Sequence, residues 1–148
     1  MALPPLTDVG ELPIGVHRAH LSEVLARFGA GSAQRQAVAL RLARIHRVAG
    51  ASGHLARFIV FGSFVTAKPA PADLDVFLLM EDTFDASRLT GEARLLFDHP
   101  AAQTRFGASV FWLRRLAALE GEGATIEQWQ ITRDGSLRGI IEIAPEAL

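Results

Sequence analysis

Two pairs of small polar residues in the middle of the chain have the types and spacing of a site for phosphate and metal. Gly62 and Ser63 directly follow the apolar run 58–61, and after nine further residues come Asp73 and Asp75, with one leucine between them. A glycine at the end of a strand lets the backbone approach a ligand closely. The amide and hydroxyl of the next residue, at a helix start, donate to a phosphate.

The two aspartates predict a metal ion beside that phosphate. Residues two apart on a strand point to the same face, so Asp73 and Asp75 should present their carboxylates side by side. Such oxygens suit Mg²⁺, which takes one or two protein carboxylates and completes its shell with water and nucleotide phosphates. Lys68 lies between the two pairs and has two interpretations, a phosphate contact or a solvated loop cation.

Two buried strands should position these residues. The runs 58–61 and 76–80 are unbroken and apolar, which is typical of strands covered on both faces. Pro69 and Pro71 lie between the runs, so we expect only one or two turns of helix after Ser63.

The chain before these strands should be mostly helical. Residues 1–15 carry three prolines and no periodicity, which predicts an irregular arm. Apolar residues recur at helical spacing through 17–28, and a second, arginine-rich helix should begin after Ser32 as its cap and end at Gly50.

The second half of the chain should complete the sheet. We expect a helix over 89–97 and a strand over 107–113. Residues 126–131 and 137–143 should form a hairpin around Asp134-Gly135. Together these elements predict one α/β (α+β) domain over residues 1–148, a mixed sheet flanked by helices with the N-terminal helices preceding the sheet.

Composition excludes several other classes of protein. There is no cysteine in the 148 residues, so disulfides, thiolate metal sites and a cysteine nucleophile are excluded. A net charge of −1 is no strong signal for nucleic-acid binding. Apolar runs far shorter than about 20 residues predict no membrane span, and the first residues do not read as a secretory signal, so we expect a cytoplasmic protein.

The spacing apolar-Gly-Ser, nine residues, Asp-apolar-Asp-apolar resembles the signature of the nucleotidyltransferase superfamily, the polymerase-beta-like fold. The flanking words 12–17, 62–68 and 133–139 are similar to those of uncharacterised bacterial minimal nucleotidyltransferase-like proteins, so the resemblance spans most of the chain. It implies a mixed sheet flanked by helices and Mg²⁺-dependent transfer of a nucleoside monophosphate from a nucleoside triphosphate to an acceptor. Several relatives in the superfamily act in toxin–antitoxin pairs.

Active members of that superfamily usually carry a third carboxylate on a neighbouring strand. The matching position here is Ser109, which cannot act as a base near neutral pH. Glu127, Glu142 or Glu81 would have to supply the acid instead, and we rank Glu127 first because it lies in the polar, aromatic run of a predicted strand.

Three functions follow as alternatives. The first is a Mg²⁺-dependent nucleotidyltransferase with Asp73 and Asp75 on the metal and Gly62 and Ser63 on the triphosphate. The second is a degenerate member that binds a nucleotide or a protein partner without turnover, as in a toxin–antitoxin pair. The third is an interaction domain with no ligand at the aspartates. Trp112 and Trp129 are interpreted as core or interface anchors rather than base-stacking platforms.

Overall fold

A computed structural model describes residues 2–145 and shows a mixed α+β fold, as predicted. One five-stranded sheet has the order β1-β5-β2-β3-β4. The pairs β1–β5 and β3–β4 are parallel, whereas β2 is antiparallel to both of its neighbours. The strands are β1 Val16–Ala19, β2 Leu55–Phe61, β3 Asp75–Met80, β4 Ser109–Arg114 and β5 Ile140–Ile143.

Five α-helices accompany the sheet in the described part of the chain. They are α1 Leu21–Phe28, α2 Ala33–Ala51, α3 Gly91–Leu96, α4 His99–Phe106 and α5 Glu122–Glu127. Short 3₁₀ turns follow several elements, at Ser63–Val65, Ala86–Arg88, Arg115–Ala117 and Gln128–Gln130. None of the helices within residues 2–145 is both long and apolar enough to cross a membrane.

The long helix α2 covers one face of the sheet. The hydroxyl of Ser32 accepts a hydrogen bond from the backbone N–H of Arg35 at 3.1 Å and caps the helix, as predicted. Val38, Leu42, Ile45 and Ala49 then recur every three or four residues and are fully buried. This stripe packs in the main core, which includes Phe58, Val60, Val76 and Leu78 of the sheet.

The opposite face of the sheet is covered by far less protein. Its apolar residues form a second, smaller core around Ile59, Phe77 and Leu79. Ile126 of α5 and Trp129 of the following turn pack there, so the rest of this face borders clefts. Asp75 pairs with Phe61 and lies on this face, because alternate strand residues share a face.

The predicted helix over 17–28 is wrong in its first part. His17, Arg18 and Ala19 belong to β1 and pair in parallel with β5, and the helix begins only at Leu21. His20 is extended, with φ −77° and ψ 152°, which separates the two elements. Pairing with a strand more than 120 positions away overrides the local helical spacing.

The predicted hairpin over 126–131 and 137–143 is also wrong. Residues 126–130 are the end of α5 and a 3₁₀ turn, and a single isolated bridge joins Ile131 to Leu137. Ile126 and Trp129 are three apart and both pack on the small core, which a helical turn allows. A strand would place them on opposite faces. Only β5 of the predicted pair is a strand, and it pairs with β1 and β2.

The other predicted elements are present with shifted bounds. The strand expected over 107–113 begins at Ser109, because Gly107, at φ 63°, ends α4 in the left-handed conformation. The helix α4 was not predicted; the carboxylate of Asp98 caps it by accepting from the N–H of Ala101 at 3.1 Å. The N-terminal arm, 2–15, has no helix or strand, as predicted, although Leu3 and Leu12 are buried.

Candidate functional site

Gly62 turns the chain at the end of β2. Its φ of 83° and ψ of −162° suit glycine alone, and a single 3₁₀ turn, Ser63–Val65, follows, in keeping with the one or two turns expected. The N–H groups of Val65 and Thr66 close this turn onto the carbonyls of Gly62 and Ser63. The tight turn directs Ser63 into the cleft described below.

Asp75 is the first residue of β3 and lies at the centre of the site. It pairs with Phe61 on β2 and with Ser109 on β4. A Cβ atom built on Gly62 would overlap the Asp75 carboxylate, so the carboxylate occupies the space that a side chain at position 62 would need.

Asp73 lies just before the strand rather than in it, and is exposed. Burial and then repulsion from Asp73 raise the pKa of Asp75 to about 6, while Arg133 acts in the opposite direction. Negative charge therefore accumulates here without full compensation from the chain.

One cleft of about 600 Å³ collects six of the seven predicted site residues. Gly62 and Ser63 lie on one side, with Asp73 and Asp75 beside them, and Lys68 and Ser109 also line the cleft. The pattern that predicted them was local, and the antiparallel pairing of β2 with β3 brings its two halves together.

Ser109 has the location expected for the third acid position. The parallel register places it directly beside Asp75 at the start of β4. Its hydroxyl accepts a hydrogen bond from Gln103 at 3.3 Å. A polar but uncharged side chain therefore flanks the two carboxylates on this strand.

The prediction that Glu127 lies on a strand at the site is wrong. Glu127 is the last residue of α5, is exposed, and does not line the cleft. Glu142 is buried and receives two hydrogen bonds from Arg57, at 2.8 and 2.6 Å. Glu81 follows the far end of β3, about 20 Å along the strand from Asp75. None of these three glutamates lines the cleft.

A loop after the 3₁₀ turn adds residues that the sequence predicted as the turn of a hairpin, where Arg133 had two interpretations, a triphosphate contact or a surface charge beside the turn. Arg133, Asp134 and Arg138 all line the cleft. One oxygen of Asp134 accepts hydrogen bonds from Thr132 at 2.5 Å and from Ser136 at 2.7 Å, and these bonds lower the pKa of Asp134. The sequence Arg-Asp-Gly-Ser at 133–136 could have indicated this loop, since it combines a cation with a turn capped by an acid.

Arg35 of α2 holds the loop that carries Lys68. Arg35 as a whole is 9% exposed, and burial lowers the pKa of its guanidinium. It donates hydrogen bonds only to backbone carbonyls, those of Phe28 (3.1 Å), Phe64 (2.9 Å), Thr66 (2.6 Å) and Lys68 (2.5 Å). The segment from Phe64 to Lys68 is therefore fastened to the helix behind it, which was not predicted.

The donor set suits a hard divalent cation that is shared with a ligand. Asp73 and Asp75 are oxygen donors. Burial first, and repulsion from Asp73 second, raise the pKa of Asp75, and a bound cation would offset both penalties on its ionised form. Within residues 2–145 no three histidine, aspartate or glutamate side chains cluster as a metal site. An ion at the two aspartates would therefore depend on ligand oxygens and water to complete its shell.

Fold and cleft together define a mixed α+β protein with three carboxylates, those of Asp73, Asp75 and Asp134, and several cations at one end of its sheet. Residues 4–144 match the model of DUF6932, a family of unknown function, and the chain belongs to that family. No curated protein and no solved structure matches the chain.

Proposed function

We propose that this protein is a Mg²⁺-dependent nucleotidyltransferase that moves a nucleoside monophosphate from a nucleoside triphosphate to an acceptor. The observation that supports it is the meeting of Gly62, Ser63, Asp73 and Asp75 in one cleft. The same four residues carry the resemblance to the nucleotidyltransferase superfamily.

The charges of the cleft suit a metal-bound triphosphate. Asp73 and Asp75 would hold the ion, which supplies neutralisation of the phosphate charge when bound. Ser63 and the turn after Gly62 would hold phosphate oxygens, and Lys68 and Arg133 offer cations around the same space. Arg138 also lines it but is ion-paired with Glu11 at 2.5 Å. A cleft lined by carboxylates without a cation would repel the negatively charged triphosphate.

The reaction would be an in-line displacement at the α-phosphorus. An acceptor hydroxyl forms the new P–O bond, the bond to the bridging oxygen of pyrophosphate breaks, and pyrophosphate leaves with that electron pair. Ser109 is no base near neutral pH, so the hydroxyl proton passes to solvent. The protein's contribution is positioning and charge stabilisation.

Ser109 favours a second candidate, nucleotide binding without transfer. It lies beside Asp75 where a third carboxylate would complete the metal site, and Glu81, Glu127 and Glu142 lie elsewhere. A degenerate member of this kind would retain the nucleotide or a protein partner, as one half of a toxin–antitoxin pair.

Calorimetric titration tests whether the protein binds a Mg²⁺-nucleotide at the two aspartates. Mg²⁺ with ATP, GTP, CTP or UTP is titrated into the wild type and into Asp73→Asn with Asp75→Asn. Both candidates expect binding that disappears in this double variant. The matched control is Glu120→Gln with Glu127→Gln, which removes two exposed acids outside the cleft and should leave binding unchanged. If the wild type binds none of the four nucleotides, both candidate functions are contradicted.

An assay of nucleotide transfer distinguishes the enzyme from the degenerate member that only binds. Wild-type protein is incubated with α-labelled nucleotide and cell extract, and label on any acceptor supports the enzyme. Binding without transfer supports the degenerate member. In that case Ser109→Asp should tighten Mg²⁺-nucleotide binding by adding a carboxylate beside Asp75, whereas the neutral Ser109→Asn should not.

A further inference from the structure

An aromatic trough of about 410 Å³ adjoins the cleft on the thinly covered face of the sheet. Phe111 and Trp129 line both spaces, so the trough continues directly from the cleft. Its other walls include Phe77, Phe97, His99 and Leu113. The proposed function assigns no role to this trough.

Trp129 packs against three phenylalanines of the sheet at the boundary between cleft and trough. Its ring centroid is 4.9 Å from that of Phe61 and 5.0 Å from those of Phe77 and Phe111, with interplanar angles of 30–37°. Its indole Nε1 is buried and has no hydrogen-bond partner among the described residues. Four aromatic rings therefore cluster at this boundary, and the three phenylalanine rings are tilted by similar angles to the indole.

His99 adds a polar group to the rim of the trough. Its ring lies 4.9 Å from that of Phe111, and Nδ1 lies 3.1 Å from the carbonyl oxygen of Val110. A carbonyl oxygen only accepts, so Nδ1 carries the hydrogen. In the neutral ring Nε2 is then the acceptor, which suits an N–H at the edge of a flat ligand.

The strand register sets the distance from the carboxylates to the trough. Ser109 lies beside Asp75, and Phe111 is the next residue of β4 on the same face, about 6.6 Å further along. Gly62 lies on the opposite side of Asp75, at the end of β2. A nucleotide with its phosphates between Gly62 and Asp75 would extend its sugar over Ser109 and reach Phe111 with its base.

We propose that the trough is the nucleobase subsite of this protein, in which Phe111 and Trp129 stack the base and Leu113 closes the far end. The inference rests on the proposed function, because it takes the phosphates to lie at Gly62, Asp73 and Asp75. Continuity with the cleft favours the base of the same nucleotide over a separate apolar molecule, since one ligand then fills both spaces.

The first test compares Mg²⁺-ATP with Mg²⁺-tripolyphosphate by calorimetry. The base should tighten binding on the order of tenfold, because stacking on aromatic side chains contributes roughly fivefold to 100-fold per base. Leu113→Arg places a long charged side chain in the trough and should remove that advantage while leaving tripolyphosphate binding unchanged. Leu116→Arg is the matched control, since Leu116 is 79% exposed and lies outside the trough.

Adenosine without phosphates tests the trough independently. It should quench the fluorescence of Trp129 in the wild type and in Asp73→Asn with Asp75→Asn, but much less in Leu113→Arg. Adenosine quenching without tripolyphosphate binding would support the trough and contradict the phosphate site. Equal affinity for ATP and tripolyphosphate, or ATP binding unaffected by Leu113→Arg, would overturn the nucleobase subsite even if the nucleotide binds.

Discussion

The backbone of Gly62 lies against the carboxylate of Asp75, so closely that a methyl group at position 62 would overlap it. The turn that ends β2 and the acid that begins β3 are thus a single unit. The backbone at position 62, at φ 83°, favours glycine, and the acid occupies the space that a side chain there would need. The two halves of the sequence pattern depend on each other for this steric reason.

Gly62→Ala should therefore damage the site more than the fold. The substitution strains a backbone at φ 83° and displaces the Asp75 carboxylate, so we expect a loss of about 1–3 kcal/mol in stability and loss of Mg²⁺-nucleotide binding. Gly53→Ala is the control, because Gly53 has φ 75° but nothing within 4 Å of the added methyl group. Urea unfolding and calorimetry measure both effects; a variant at Gly62 that binds normally contradicts the steric argument.

Asp75→Asn should stabilise the protein at neutral pH. The pKa of Asp75 is about 6 in the folded state against an ordinary value of 3.8, so the folded state binds this proton more tightly than the unfolded state. The loss of folding stability caused by ionised Asp75 is absent below about pH 4, grows as pH rises, and reaches its full size above about pH 6. The melting temperature of the variant should exceed that of the wild type at pH 7.5 and match it near pH 3.5.

Asp85→Asn provides a comparison of opposite sign. Hydrogen bonds from Ser87 hold the pKa of Asp85 below its ordinary value, so its contribution to stability is present above about pH 4 and is lost as pH falls. This variant should melt slightly below the wild type at pH 7.5. Equal shifts for both variants at every pH would contradict a special environment at Asp75.

Binding of Mg²⁺-nucleotide should increase with pH around 6, because a metal ligand at Asp75 must lose its proton. Arg133 lowers the pKa of Asp75, so Arg133→Gln should move the midpoint of this pH dependence upward. The shift should shrink in high salt because Arg133 is exposed. Arg88→Gln, at an 87% exposed side chain outside the cleft, should leave the midpoint where it is; calorimetry between pH 5 and pH 8 measures it.

Arg35→Met should cost about 2–4 kcal/mol of stability, because it leaves four carbonyls without their donor in a buried location. It should also weaken nucleotide binding, since the segment that carries Lys68 loses its attachment to α2. Arg47→Met, at an exposed position on the same helix, should change stability by less than about 0.5 kcal/mol. Urea unfolding measures the stability of both variants. An Arg35→Met variant as stable as the wild type would contradict a stabilising role for the four hydrogen bonds.

Local patterns were sufficient to predict the strands on either side of the cleft. The runs that became β2 and β3 are apolar at every position because both faces of these strands are covered. Gly62, Ser63, Asp73 and Asp75 are tied to these strands by short spacings, so their meeting in one cleft follows from the antiparallel pairing of neighbours.

Long-range contacts were the part that periodicity could not predict. His17 belongs to a strand only because β5 lies beside it, and Glu127 belongs to a helix only because Ile126 and Trp129 both need the same apolar face. Arg35 looked like one more arginine of a solvated helix. Its four carbonyl partners come from segments up to 33 residues away, so the local sequence pattern does not predict them.

The position of β5 has a consequence for synthesis of the chain. β5 is the last strand to be made, and it inserts between β1 and β2, the first two. Before Ile140–Ile143 have been made, β1 has no neighbour in this sheet, whereas β2 and β3 can already pair with each other. The nascent chain can therefore pair β2 with β3, the strand that begins at Asp75, before this sheet is complete, and it exposes the other edge of β2 to chaperones or to other chains until β5 pairs there.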